Sequence, residues 1–149
     1  MDNEICTIGY EGVTLGMFVE CLRSASVEVL IDCRIRAQSR KKGFSKTALS
    51  EALAQQGIGY VHDRDLGTPK EIMKVFRETK FYDWDAYNAF LSTKKANVVA
   101  AARIASEQKI CCMCYEADAE TCHRRFVAAA IAKITGTGID HLQPAETET

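Results

Sequence analysis

Lys109–Tyr115 reads KICCMCY, and the chain runs on as EADAETCHRRFVAAAIAKITG to Gly136. The first stretch is apolar without alternation, the pattern of a strand buried on both faces. The second changes period: Val127, Ala130, Ile131 and Ile134 recur at helical spacing behind Asp118, a good helix cap, and Gly136 and Gly138 end the pattern. A doubly buried strand feeding a helix is the repeating unit of a parallel α/β sheet.

The same unit recurs upstream. ICTIGY (Ile5–Tyr10), VEVLID (Val27–Asp32) and IGYVH (Ile58–His62) read as strands, and IDHL (Ile139–Leu142) as a last one. Between them Thr14 caps a helix carrying Phe18, Leu22 and Ala25. Ser45 caps another with Leu49, Ala52 and Leu53 inward, closed by Gly57. Thr68, Pro69 and Glu71 predict a capping box with proline at the first helical position. Asp83 caps a helix with Trp84, Tyr87 and Leu91, where Tyr82, Trp84 and Tyr87 read as packing residues, and Asn97–Glu107 is helical. The expectation is a three-layer α/β/α domain over 1–142, with a mostly parallel sheet of about five strands and a disordered tail at 143–149. Ligands of such folds bind at the carboxyl ends of the strands, so the loops after Tyr10, Asp32, His62 and Tyr115 are the place to look.

Composition narrows the class. The chain has 149 residues, 47% hydrophobic and 26% charged, the balance of one soluble globular domain. No apolar run is long enough to span a membrane, and the acidic N-terminus enters a strand at once, unlike a signal peptide. Seven cysteines, most in apolar stretches, predict reduced thiols and a cytoplasmic setting. A net charge of −1 gives no global argument for nucleic acid.

Local charge does. Arg34, Arg36, Arg40, Lys41, Lys42 and Lys46 lie between Asp32 and Glu51 with no acid among them. On a strand-exit loop they make a focused positive field, which the amides opening the Ser45 helix reinforce as an anion site. Arg34 directly follows a buried strand and is expected to project into a pocket, whereas Lys41 and Lys42 serve solubility. Phe44 and Tyr60 are candidate stacking faces for a base. Tyr10, followed by Glu11 and Gly12, sits where a tight turn brings the chain close to a ligand. His62 is either a second proton carrier or a surface hydrogen-bonding group.

The second cluster is Cys114, Glu116, Cys122, His123 and Arg124. Strand alternation puts Cys114 and Glu116 on one side, and His123 extends the buried stripe of Val127 and Ile131 to the sheet edge. Cysteine with histidine suits nucleophilic chemistry, and glutamate with histidine suits proton transfer. Cys122 in a first helical turn would feel a field favouring thiolate, opposed by Glu120. Cys111 and Cys112 read as core and Cys114 as core or site, while a Glu116–Arg124 pair is the structural alternative. All four of Cys114, Glu116, Cys122 and His123 are zinc-ligand types. Adjacent helical residues diverge by about 100°, however, so Cys122 and His123 are not expected to share one ion. No metal or cofactor is expected.

The runs TIGYEG, LIDCR with QSR and GFSK, GIGYVHDRDLG and CYEADAETCHRR together resemble the domain-of-unknown-function 488 family, from about Thr7 to Arg125. Cys-x-Glu-x5-Cys-His-Arg at Cys114–Arg124 is the most specific part. The resemblance implies a Rossmann-like α/β fold and a prokaryotic cytosolic setting, and no reaction. Ala37 and Ala119 stand where the family tends to have proline, and Thr68 where it has a second glycine.

Three functions are compatible with these residues. The leading one is an enzyme acting on a phosphate-bearing substrate, a nucleotide or nucleic acid. Arg34, Arg36, Arg40, Lys46 and Arg124 would hold the anion beside Tyr10, Phe44 and His62. Glu116 and His123 would be acid and base, with Cys114 or Cys122 as optional nucleophile. The second is a non-catalytic nucleic-acid or anion-binding module, and the third a thiol-based redox or sulfur-handling protein. The leading reading requires Arg34, Glu116 and His123 to form one site.

Overall fold

A computed structural model describes residues 4–144. Five strands, β1 (Ile5–Gly9), β2 (Val29–Asp32), β3 (Gly59–His62), β4 (Ile110–Cys114) and β5 (Ile139–His141), form one sheet in the order β3-β2-β4-β1-β5. Every pairing is parallel, so the mostly parallel sheet of the sequence reading is wholly parallel. Six helices complete it: α1 (Leu15–Ser24), α2 (Lys46–Ala54), α3 (Lys70–Thr79), α4 (Trp84–Ser92), α5 (Lys95–Ala105) and α6 (Arg124–Thr135). This is a Rossmann-like α/β architecture.

KICCMCY owes its apolar character to its place. β4 is central, every residue of it is buried, and its side chains alternate between two cores. Cys111 and Met113 join Phe18, Leu22, Leu30, Leu49 and Leu53 beneath α1 and α2. Ile110 and Cys112 join Tyr87, Leu91, Val98, Ala102, Val127 and Ile131 beneath α4, α5 and α6. The strand order explains the division. The chain steps one way along the sheet from β1 to β2 to β3, then returns to β4 and β5. Right-handed crossovers place helices of opposite steps on opposite faces. β4 is therefore flanked by two strands, β1 and β2, whose following helices leave on the other face. Such reversals open crevices at the carboxyl edge.

Several helix starts depart from the sequence reading. Thr14 and Asp83 cap α1 and α4 as expected, accepting from Met17 and Ala86 amides. Asp118 caps only a 3-10 turn, Ala119–Thr121, and α6 starts six residues beyond it, so Cys122 and His123 lie before the helix. Thr68 makes no cap bond, and Pro69 occupies the cap position of α3. Ser45 flanks α2 but exchanges hydrogen bonds with the Ser39 backbone instead of the helix amides. Of the tail expected to be disordered, Gln143 and Pro144 are described, and 145–149 lie outside the described residues.

Candidate functional site

Past the end of β2 the side chains keep alternating, and this splits the basic loop from the thiol cluster. Cys33 turns to the α4–α6 face, whereas Arg34 contacts Tyr10 and Phe44 on the α1–α2 face. Arg34 is buried and makes four side-chain hydrogen bonds. Nε and Nη2 grip Asp32 at 2.9 and 2.8 Å, and Nη1 reaches the Phe44 carbonyl at 2.7 Å and the Tyr10 hydroxyl at 3.3 Å. Tyr60 donates to the same Asp32 carboxylate at 2.5 Å. Burial opposes the Arg34 charge, but the Asp32 pair holds its pKa above the ordinary value. Burial and Asp32 push the Tyr60 hydroxyl up as well. Arg34 is thus a brace joining β2 to the loop before α2, with its fork spent on protein acceptors. Its side chain makes no hydrogen bond to His123 among the described residues.

The stacking role read for Phe44 is overturned too. Phe44 is fully buried, stacked on Tyr10 at 4.7 Å and edge-on to Phe18 at 5.2 Å. Tyr10 is 4% exposed, so neither ring has a free face for a base.

What the loop does form is an open cleft of about 760 Å³ at the carboxyl edge. It is lined by Arg36, Ala37, Gln38, Ser45, Lys46, Thr47 and His62. Arg36, Lys46 and Thr47 are exposed, and the first turn of α2 forms one wall. The His62 imidazole is tied by Nε2 to the Arg34 carbonyl at 2.6 Å. Arg40, though exposed, is not among the lining residues.

On the opposite face, β4 ends at Cys114 and the chain returns through Cys122 and His123. Cys114 Sγ and Cys122 Sγ each lie 3.9 Å from His123 Nδ1, and the three atoms lie within 4.8 Å of one another. All three residues are buried. His123 Nε2 bonds the Cys33 carbonyl at 3.1 Å, and its ring meets Tyr87 edge-on at 5.2 Å. Thr68 Oγ1 lies 3.3 Å from Nδ1 and 2.6 Å from the Tyr82 hydroxyl. The expected divergence of Cys122 and His123 fails because they precede α6 and Cys122 is extended, with φ −127° and ψ 142°. His62 and His123 therefore bond consecutive carbonyls of the β2 loop, one from each face.

Arg124, fully buried, donates to the carbonyls of Glu116 and Ala117 and leaves its Nε without a partner. It holds the loop after β4 by backbone oxygens, not by an ion pair with the Glu116 carboxylate. That carboxylate is half-buried, and its Oε2 is buried with no hydrogen-bond partner. Gly9, paired with Cys114 across the sheet, allows the Glu116 carbonyl to pack against β1.

The electrostatics follow from this crowding. Burial pushes Glu116 up to about 7, with Cys122 beside it adding to the rise. Burial opposes a Cys122 thiolate, but hydrogen bonds from Cys114 and His123 and the charges of His123 and Arg124 hold it well below the usual range. Cys114, bonded to Cys122 and buried, is held well above it. Burial lowers His123, yet the Cys122 partner outweighs this and raises it. The two thiols are pushed in opposite directions: the surroundings favour the proton on Cys114, whereas the Cys122–His123 contact favours the charged form of each.

The structure thus gathers Cys114, Glu116, Cys122 and His123 on one face, and Arg36, Lys46 and His62 in a cleft on the other. Arg34, Tyr10 and Phe44 pack between loop and core. The sequence reading missed Asp32, Thr68 and Gly9, and took Tyr60 for a stacking face where its hydroxyl bonds Asp32. Asp32 was legible as a carboxylate two residues before Arg34 on the same face; Thr68 was hidden behind its apparent capping role.

Fold and loops together define a Rossmann-like α/β protein whose carboxyl edge carries a basic cleft and a buried thiol–imidazole cluster. The model of the domain of unknown function DUF488 matches residues 14–131, and the chain belongs to that family. Comparison with curated proteins and with solved structures finds no match. No helix among the described residues is long and apolar enough to cross a membrane.

Proposed function

We propose that the protein binds a phosphate-bearing ligand of nucleotide size in the cleft at the carboxyl edge of β2 and β3. The observation that carries the reading is the lining. Arg36 and Lys46 are exposed cations, His62 adds an imidazole, Thr47 offers a hydroxyl, and no lining residue is acidic. In the first turn of the nine-residue α2 the Lys46 amide bonds the Ala37 carbonyl at 2.8 Å, which leaves the Thr47 and Ala48 amides at the positive end of the helix. The cleft volume suits a small ligand. Burial of Phe44 and Tyr10 removes the rings that single-stranded nucleic acid would stack on, which favours a nucleotide over a polynucleotide.

Isothermal titration with a nucleoside diphosphate tests this. Arg36→Ala and Lys46→Ala should each weaken binding about 10- to 100-fold, the worth of a charged hydrogen bond, and rising salt should weaken the wild type. Arg40→Ala, outside the lining, should leave it within about twofold. Binding indifferent to salt, Arg36 and Lys46 would refute the proposal.

A catalytic reading rests on one separate observation, the Glu116 Oε2 buried without a hydrogen-bond partner in the loop after β4. Acid–base chemistry there requires a substrate reaching past Cys114, the most exposed of the three buried ligand-type residues at 8%.

A further inference from the structure

We propose that Cys114, Cys122 and His123 form a zinc site. The proposal is independent of the phosphate cleft, since its residues lie on the other face of the sheet.

Geometry comes first. Zinc holds thiolate sulfur at about 2.3 Å and imidazole nitrogen at about 2.0 Å, which sets sulfur and nitrogen about 3.5 Å apart on a tetrahedron. Both thiols already stand 3.9 Å from the same nitrogen, His123 Nδ1, and the whole set falls within 4.8 Å. Shifts of a few tenths of an ångström at each side chain close the site. The local backbone permits this because Cys122 is extended and His123 turns into α6, so neighbouring residues face one point.

The histidine is also oriented as a ligand. Nε2 faces the Cys33 carbonyl at 3.1 Å, so in the neutral ring the proton sits there and Nδ1 presents its lone pair to the sulfurs. A backbone carbonyl that fixes the outer nitrogen is the usual support of a metal-bound imidazole. Tyr87 packs against the ring edge and holds its plane. Thr68, the hydroxyl now nearest Nδ1, keeps Tyr82 as an alternative partner when the metal takes that lone pair.

Donor type selects the metal. Two thiolates and an imidazole suit zinc among the abundant divalent ions, and magnesium or calcium would require oxygen donors. Three protein donors leave the fourth position of a tetrahedral zinc to water or another ligand.

The test uses the full chain, reduced, stripped with a chelator and given zinc or cobalt(II) alone, with no phosphate ligand present. Native mass spectrometry should count one zinc per chain, and the cobalt form should show thiolate-to-cobalt charge transfer with a tetrahedral visible spectrum. Cys122→Ser and His123→Asn should each lower zinc affinity at least about 100-fold, since loss of even a supporting group costs about 10- to 100-fold. Cys21→Ser, far from the group, should retain it. Circular dichroism establishes that each variant is folded, and the wild-type cobalt spectrum decides the question if one is not. A folded, reduced wild type that takes up neither metal, or full zinc retention in folded Cys122→Ser and His123→Asn, would overturn the site.

Discussion

Gly9→Ala is a one-methyl perturbation whose consequence can be worked from the packing of the sheet end. Gly9 pairs with Cys114, and a Cβ built on it would lie 1.8 Å from the Glu116 carbonyl oxygen and 2.6 Å from its carbon. Real Cβ contacts stay beyond 3.0 Å, so the loop must retreat by at least about 1.2 Å. It is not free to do so. The Glu116 carbonyl takes a hydrogen bond from buried Arg124, and the neighbouring Tyr115 carbonyl accepts from the Glu11 amide at 2.8 Å. Overpacking of this kind costs about 1–3 kcal/mol, and a strained or lost hydrogen bond to the guanidinium adds about 1.5–3. The expected loss is about 3–5 kcal/mol, a large part of a total near 5–15. Urea unfolding followed by the fluorescence of Trp84, the single tryptophan, measures it, with the slope unchanged. A loss under about 1 kcal/mol would refute the close approach of β1 to the loop after β4.

Two further outcomes follow from other parts of the molecule. Asp32→Asn leaves Arg34 buried beside a neutral partner and should cost about 3–5 kcal/mol in the same assay; a change below about 1 would mean that the brace is not closed in solution. Brief alkylation of the metal-free, reduced chain should label Cys21 first, because it alone among the seven free thiols is not buried. Zinc should then slow labelling of Cys114 and Cys122 without changing Cys21, and mass spectrometry of peptides reports both; labelling led by Cys122 would show that the loop before α6 opens.

The central strands were legible because burial on both faces leaves a composition that little else produces. ICCMC (Ile110–Cys114) and VLID read as core and are core. Helix boundaries were less so. Asp118 carries a cap signal that is used, but by a 3-10 turn, and nothing local distinguishes that turn from the start of a helix. This small displacement decided the chemistry, since it frees Cys122 and His123 from helical divergence and lets their donor atoms meet. At the carboxyl edge the Cys114–His123 cluster was legible from alternation, but its separation from the basic loop was not. It depends on β4 lying between β1 and β2, a long-range fact that no window of sequence contains. Given that order, alternation sends the side chains of Arg34 and His123 to opposite faces, so Arg34 braces β2 while His123 packs with the thiols. The Arg34 brace itself was within reach: a carboxylate and a guanidinium two residues apart at a buried strand end share a face.

The most direct test of the central claim is where a phosphate ligand touches the protein. Backbone amide spectra recorded while a nucleoside diphosphate is titrated in should shift at Arg36, Gln38, Ser45, Lys46 and Thr47 and at the His62 ring. The amides of Cys114, Cys122 and His123, beneath the opposite face, should hold their positions. Shifts confined to the Cys114–His123 loop, or none at millimolar ligand, would contradict the account.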